Sequence, residues 1–143
     1  MSIEKVAIIG TGTMGQALGR GMIRKGVVES GQVSGTVKHE REAATVREQV
    51  DFEIGIDNVL AVAGADVILL CTKPRQAPEV VEQLAQAGAL SHGPLLVSIA
   101  AGVSTAQLEW AAGDAPVRVV RAMPNTPCLT PVSSPLKVIG NLA

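Results

Sequence analysis

Val6-Ala7-Ile8-Ile9-Gly10-Thr11-Gly12-Thr13-Met14-Gly15 runs an apolar strand straight into the spacing G-x-G-x-x-G. Each glycine in that spacing answers a separate steric need. Gly10 permits a tight turn out of the strand, Gly12 lets a ligand approach the backbone, and Gly15 lets the following helix pack closely on the strand. The helix N-terminus then presents unpaired N–H groups and the positive end of its dipole, so a phosphate is favoured there without a cationic side chain. Residues Gln16 to Lys25 continue with apolar side chains at helical spacing, as the motif requires. The expected ligand is a dinucleotide; a glycine-rich turn without a ligand is the bland alternative.

Working outward, apolar β-branched runs recur at Lys5–Ile9, Gln32–Val37, Phe52–Ile54, Val67–Cys71, Leu95–Ile99 and Val117–Val120. Between them, helical spacing marks Gly15–Lys25, Glu40–Glu48, Asn58–Ala63, Pro78–Ala87 and Ser104–Trp110. Pro78 suits a first helical turn, and Ser104 with Gln107 has the spacing of a capping box. Such alternation predicts an α/β fold: a doubly wound, mainly parallel Rossmann-type sheet of six strands with helices on both faces. Ligands of such sheets sit at the carboxyl ends of the strands. We expect residues 1–123 to form the dinucleotide-binding domain and 124–143 a Pro-rich extended tail. Pro124, Pro127, Pro131 and Pro135 disfavour helix and central strand there, and Leu136–Leu142 reads as a short strand or a frayed end.

The composition agrees with one domain. The 143 residues are 47% hydrophobic and 17% charged, which excludes a disordered chain. With 12 basic against 13 acidic residues, scattered along the chain, neither nucleic acid nor a membrane surface is an expected partner. No apolar run approaches the ~18 residues of a membrane span, and Met1 to Lys5 lacks the apolar core of a secretion signal. A cytoplasmic location is expected. Cys71 and Cys128 have neither C-x-x-C spacing nor a His cluster, so no metal is expected and both read as buried or bystander thiols.

The remaining candidates fall just after predicted strands. In this fold an acid about 20 residues beyond the glycines binds the ribose 2′-hydroxyl of NAD. Here Lys38, His39 and Arg41 stand at that place, with Thr36 as a hydroxyl donor and Glu40 as the dissenting charge. The reading favours NADP(H), with NAD(H) as the alternative cofactor; a solvated helix start is the competing reading. Lys73, between Thr72 and Pro74, is either a cation for a phosphate or substrate anion or a strand-ending charge in water. Ala100, Ala101 and Gly102 are small enough for a flat ring to lie against backbone. Arg121, Asn125 and Thr126 offer polar groups to a carboxamide or small substrate, although Asn125 and Thr126 read equally well as turn residues.

Four stretches together resemble pyrroline-5-carboxylate reductase, over about residues 3 to 130. They are Gly10 to Gly15, Ala65-Asp66-Val67 leading to Lys73-Pro74, Ser98 to Val103, and Arg121-Ala122-Met123-Pro124-Asn125-Thr126-Pro127. The resemblance implies an NAD(P)H-dependent oxidoreductase of proline biosynthesis that reduces the C=N bond of 1-pyrroline-5-carboxylate to give L-proline. It further implies cofactor contacts from Thr11 to Met14, around Lys38, and from Asn58, Thr72 to Pro74 and Ala100 to Gly102. Asn125 would lie near the nicotinamide. Without the resemblance, Asn58 reads as a helix cap.

Members of that family continue through a Gly-rich stretch into a helical, dimerising domain that supplies most of the substrate pocket. Residues 131 onward do not look like that continuation. The expected partner is therefore a small imino acid, with either a homo-oligomer or a second chain supplying the helical domain. This chain alone is expected to be weak or inactive, and no residue is assigned as a catalytic acid. The alternatives are an NADP-binding module without catalysis, or another NADP-dependent imine or keto reductase, a class that includes deazaflavin-dependent enzymes.

Overall fold

The computed structural model describes residues 3–124 and 136–139, excepting the side chains of Pro124 and of the last four. Strands β1 (Val6–Ile9), β2 (Val33–Thr36), β3 (Glu53–Gly55), β4 (Val67–Leu70), β5 (Leu95–Ser98), β6 (Arg118–Pro124) and β7 (Leu136–Ile139) form one sheet in the order β3-β2-β1-β4-β5-β6-β7. The first six are parallel; β7 runs antiparallel to β6. Helices α1 (Thr13–Arg24), α2 (Glu40–Arg47), α3 (Asn58–Val62), α4 (Ala77–Gln86) and α5 (Thr105–Ala112) make the crossovers.

Parallel strands covered on both faces must be apolar on both faces, and all four residues of β1 are buried. Val6 and Ile8 join Leu18 of α1 and Ala43 and Val46 of α2 in one core layer. Ala7 and Ile9 face the other way, into Val62 of α3, Val81 and Leu84 of α4 and Leu108 of α5. Each fully buried Ile or Leu side chain among these contributes about 1.5–3 kcal/mol. The chain thus winds outward from β1 in one direction and from β4 in the other. Ile8 pairs with Gly35 on one side and with Leu69 on the other, so the reversal of strand order falls between β1 and β4.

The helix signals match closely. Ser104 Oγ accepts from Gln107 N at 3.1 Å while Gln107 Oε1 accepts from Ser104 N at 2.8 Å, closing the capping box of α5. Pro78 lies in the first turn of α4. The six expected strands are all present and parallel, and β7 falls within Leu136–Leu142, which reads in sequence as a short strand or a frayed end. The expected sixth strand, Val117–Val120, extends to Pro124 because β7 pairs with Arg121 through Pro124. The β5 pairing ends at Ser98 with Arg121, so β5 does not call on the N–H that Pro124 lacks. Among the described residues, no helix is long and apolar enough to cross a membrane.

Candidate functional site

Because β1 to β6 are parallel, their carboxyl ends share one edge, and the residues that follow them gather there. Gly10 turns out of β1 with φ +84°, a conformation that L side chains rarely adopt. A methyl group on it would lie 2.9 Å from the backbone nitrogen of Thr72, just after β4. The turn is tied on its other side to β2, since the carbonyl of Thr36 accepts from Thr11 N at 2.7 Å and from Gly10 N at 3.2 Å. Gly15 closes the helix onto the strand; a methyl there would stand 3.0 Å from Gly10 O and 3.1 Å from Ile8 Cγ2. Gly12 differs from both, because a methyl on it would meet nothing within 4 Å.

A dinucleotide pyrophosphate fits these residues. Gly12 is the N-cap of α1, no side chain caps that end, and no acid occupies the first turn. The positive end of the helix therefore faces open space. Across the turn from Gly10, Thr72 Oγ1 is buried without a hydrogen-bond partner among the described residues. An orphaned polar atom of this kind costs about 1–3 kcal/mol, and a ligand oxygen seated there would satisfy it.

The other predicted positions are distributed around the same edge. The Thr11 side chain is turned inward, fully buried, with its hydroxyl donating to Ile8 O at 3.1 Å, so only its backbone faces the turn. Thr13 is exposed; Met14 is half-buried against the core on the α1 and α2 side. Lys38, His39 and Arg41 are exposed at the start of α2. The dissenting Glu40 is bound to Arg47 Nη1 at 2.6 Å, and Arg47 is itself anchored on Ile54 O. Lys73 and Pro74 are exposed, and the Lys73 carbonyl accepts from Gln76 N at 2.8 Å in the turn into α4. Ala100 is buried, its N–H donating to Ser98 Oγ at 3.2 Å, while Ala101 and Gly102 are exposed beyond it. Asn125 and Thr126 lie outside the described residues, as does Cys128. Arg121 falls inside β6, opposite Ser98, and not at the strand's end.

Two expectations change at the tip of β2. Thr36 is not a hydroxyl donor to a ligand: it is 2% exposed, and its Oγ1 donates to Asn58 Oδ1 at 2.6 Å. Asn58 is not the cap of α3; Asp57 is, with its Oδ1 accepting from Leu60 N at 3.2 Å. The side chain of Asn58 is thereby released to the strand edge. Sequence offered no signal for this contact, which joins residues 22 positions apart. Cys71 is partly exposed as a residue, yet burial pushes its thiol up to about 12. Among the described residues, no three His, Cys, Asp or Glu side chains cluster to hold a metal.

A groove of about 760 Å³ lies elsewhere, lined by residues of α4 and α5 such as Glu82, Ala106 and the exposed Trp110. None of its walls comes from a strand tip. The glycine turn, and not this groove, carries the features that a phosphate requires.

Residues 5–102 match the family described as NADP oxidoreductase coenzyme F420-dependent. The chain belongs to that family. Among relatives of this NADP oxidoreductase family member, pyrroline-5-carboxylate reductase of Pseudomonas aeruginosa is 38% identical over 129 residues, covering 90% of this chain and 46% of the relative. The Escherichia coli protein of the same name is 33% identical over 126 residues, covering 88% and 46%. Among solved structures, a pyrroline-5-carboxylate reductase from Coxiella burnetii superposes with TM-score 0.77 at 32% identity, over 90% of this chain and 46% of that one. Plasmodium falciparum pyrroline carboxylate reductase, solved with NADP bound, gives 0.75 at 26% identity, over 90% and 45%. The chain spans about half the length of the curated relatives that it matches.

Proposed function

We propose that this chain is the cofactor-binding part of a reductase that uses NADP(H) in preference to NAD(H) to reduce 1-pyrroline-5-carboxylate to L-proline. The observation that carries the reading is the glycine turn wedged between β1 and β4, open only at Gly12. The similarity to pyrroline-5-carboxylate reductases across nine-tenths of the chain supports the substrate.

Bound there, NADPH supplies the hydride that reduces the imine carbon. The chain's own part is to bind and orient. The Thr11 to Met14 turn holds the pyrophosphate at the α1 N-terminus through the backbone N–H groups after Gly12, those of Thr11 and Gly12 being bonded to Thr36 O and Gly10 O. Lys38, His39 and Arg41 face a 2′-phosphate, with the charge of Glu40 already engaged by Arg47. Thr72 to Pro74 and the small residues Ala100 to Gly102 border the nicotinamide half, where Asn125 and Thr126 are the substrate-side candidates. No residue is assigned a proton-transfer role. We place the protein in the cytoplasm, where the free thiol of Cys71 suits a reducing compartment. The imino-acid pocket is assigned to the part of the relatives' length that these residues do not span.

The test is purified chain with NADPH and 1-pyrroline-5-carboxylate. The expected result is NADPH binding with weak or no turnover by the chain alone. Turnover at the rate of an ordinary reductase would show that the rest of the relatives' length is dispensable; absence of NADPH binding would contradict the proposal. The family match favours a second reading, since its description names coenzyme F420 and no imine. Reduction of a deazaflavin by NADPH, with none of the imine, would decide for it.

A further inference from the structure

We infer that Thr36 is a positioning residue, which locks the Asn58 side-chain amide with its NH2 group toward the seat of the ribose 2′-oxygen and so makes that seat select a 2′-phosphate. The inference rests on the dinucleotide reading of the glycine turn. The seat follows from topology: in this fold the 2′-oxygen is read at the tip of the second strand, about 20 residues past the glycines. Thr36 ends β2 there.

Thr36 has two hydrogen-bonding jobs. Its carbonyl accepts from Gly10 and Thr11 and fixes the glycine turn, while its hydroxyl donates to Asn58 Oδ1 at 2.6 Å. A hydroxyl that donates to the carboxamide oxygen determines the face of the amide, because the NH2 group must then lie on the other side. Asp57 already caps α3, so the Asn58 amide has no duty to the helix. Among the described residues its Nδ2 has no hydrogen-bond partner, and it is not sealed from solvent. Two N–H donors are thus held at the strand edge, and the buried Thr36 cannot follow if the amide turns.

An acid at this place accepts from a 2′-hydroxyl and repels a phosphate. An oriented amide NH2 does the reverse, since it gives a charge-assisted bond to a phosphate oxygen and leaves a hydroxyl's proton without an acceptor. The exposed Lys38 and Arg41 add charge nearby, but among the described residues no side-chain hydrogen bond fixes the direction of either.

The experiment is calorimetric titration of the whole chain and of Thr36→Val, Thr36→Ser, Asn58→Asp and Asn58→Ala with NADPH and NADH, alongside melting temperatures. Thr36→Val keeps the shape and the carbonyl but frees the amide. Its NADPH affinity should fall about tenfold with NADH affinity little changed, and Thr36→Ser should restore the wild-type ratio. Asn58→Asp should reverse the preference toward NADH. Equal loss for both nucleotides, or a Thr36→Val ratio equal to wild type, would overturn the role of Thr36. If Thr36→Val does not fold, Asn58→Ala decides, because an unchanged NADPH to NADH ratio there would overturn the proposal. Wild-type protein that binds neither nucleotide would instead overturn the dinucleotide reading beneath it.

Discussion

Gly10 and Thr72 meet backbone to backbone across the point where the strand order reverses: a methyl group on Gly10 would lie 2.9 Å from the Thr72 nitrogen and 3.0 Å from the Cys71 carbonyl. Neither neighbour is a flexible side chain that can yield. Gly10→Ala also has to hold φ near +84°, a conformation that costs about 1–3 kcal/mol for a residue with a Cβ. Chemical denaturation of Gly10→Ala should show a loss at the upper end of that range or beyond. A variant as stable as wild type would mean that the β1 and β4 tips separate freely.

Gly12→Ala should behave in the opposite way. The added methyl meets no protein atom and φ is −85°, so only the poorer capping preference of alanine is felt, below about 1 kcal/mol. The same methyl occupies space that the pyrophosphate needs. Calorimetry should find NADPH affinity reduced more than about tenfold in a fold that melts near the wild-type temperature. Retained affinity would show that phosphate does not approach Gly12.

Much of this geometry is written in the sequence, because it depends on local rules. The β1 run, the three glycines and the Ser104 and Gln107 box each act within a few residues, and each appears where its pattern placed it. What escaped was non-local or competitive. The Thr36 to Asn58 bond depends on two loops converging. Asp57 and Asn58 are both good caps, and only the path of the chain out of β3 decides for Asp57. For Leu136–Leu142 the sequence left a short strand and a frayed end both open, and pairing with β6 decides for the strand over Leu136–Ile139. Glu40 looked like an obstacle to a 2′-phosphate until Arg47, two turns along the same helix, took its charge.

The thiol of Cys71 provides a pH test. Burial raises it from the ordinary 9.0 to about 12, so the folded state keeps a proton that the unfolded chain releases above 9.0. The stability linked to this group is complete below pH 9 and is lost as pH rises toward 12. In a Cys128→Ser background, a thiol reagent at about pH 8 should react slowly with folded protein and rapidly after denaturant is added. Equal rates would contradict a buried thiol.

Asp66 titrates in the other direction. Its Oδ2 accepts from Glu4 N at 2.8 Å and Lys5 N at 3.0 Å, and these bonds hold the half-buried carboxyl below its ordinary 3.8. The stability it lends is present above pH 3.8 and is lost as pH falls through the lower folded value. Asp66→Asn should therefore melt lower than wild type at neutral pH, with the difference shrinking in acid. A difference that stays constant from neutral pH into acid would show that the carboxylate does not anchor the chain entering β1.

If the turn between β1 and α1 holds a dinucleotide pyrophosphate, the bound nucleotide must be visible there. A crystal structure of the chain grown with NADPH tests it most directly. Pyrophosphate oxygens should lie within hydrogen-bond distance of the backbone N–H groups after Gly12, with the 2′-phosphate at Asn58 and the start of α2. Density for the nucleotide in the groove beside Trp110, with the glycine turn empty, would contradict it.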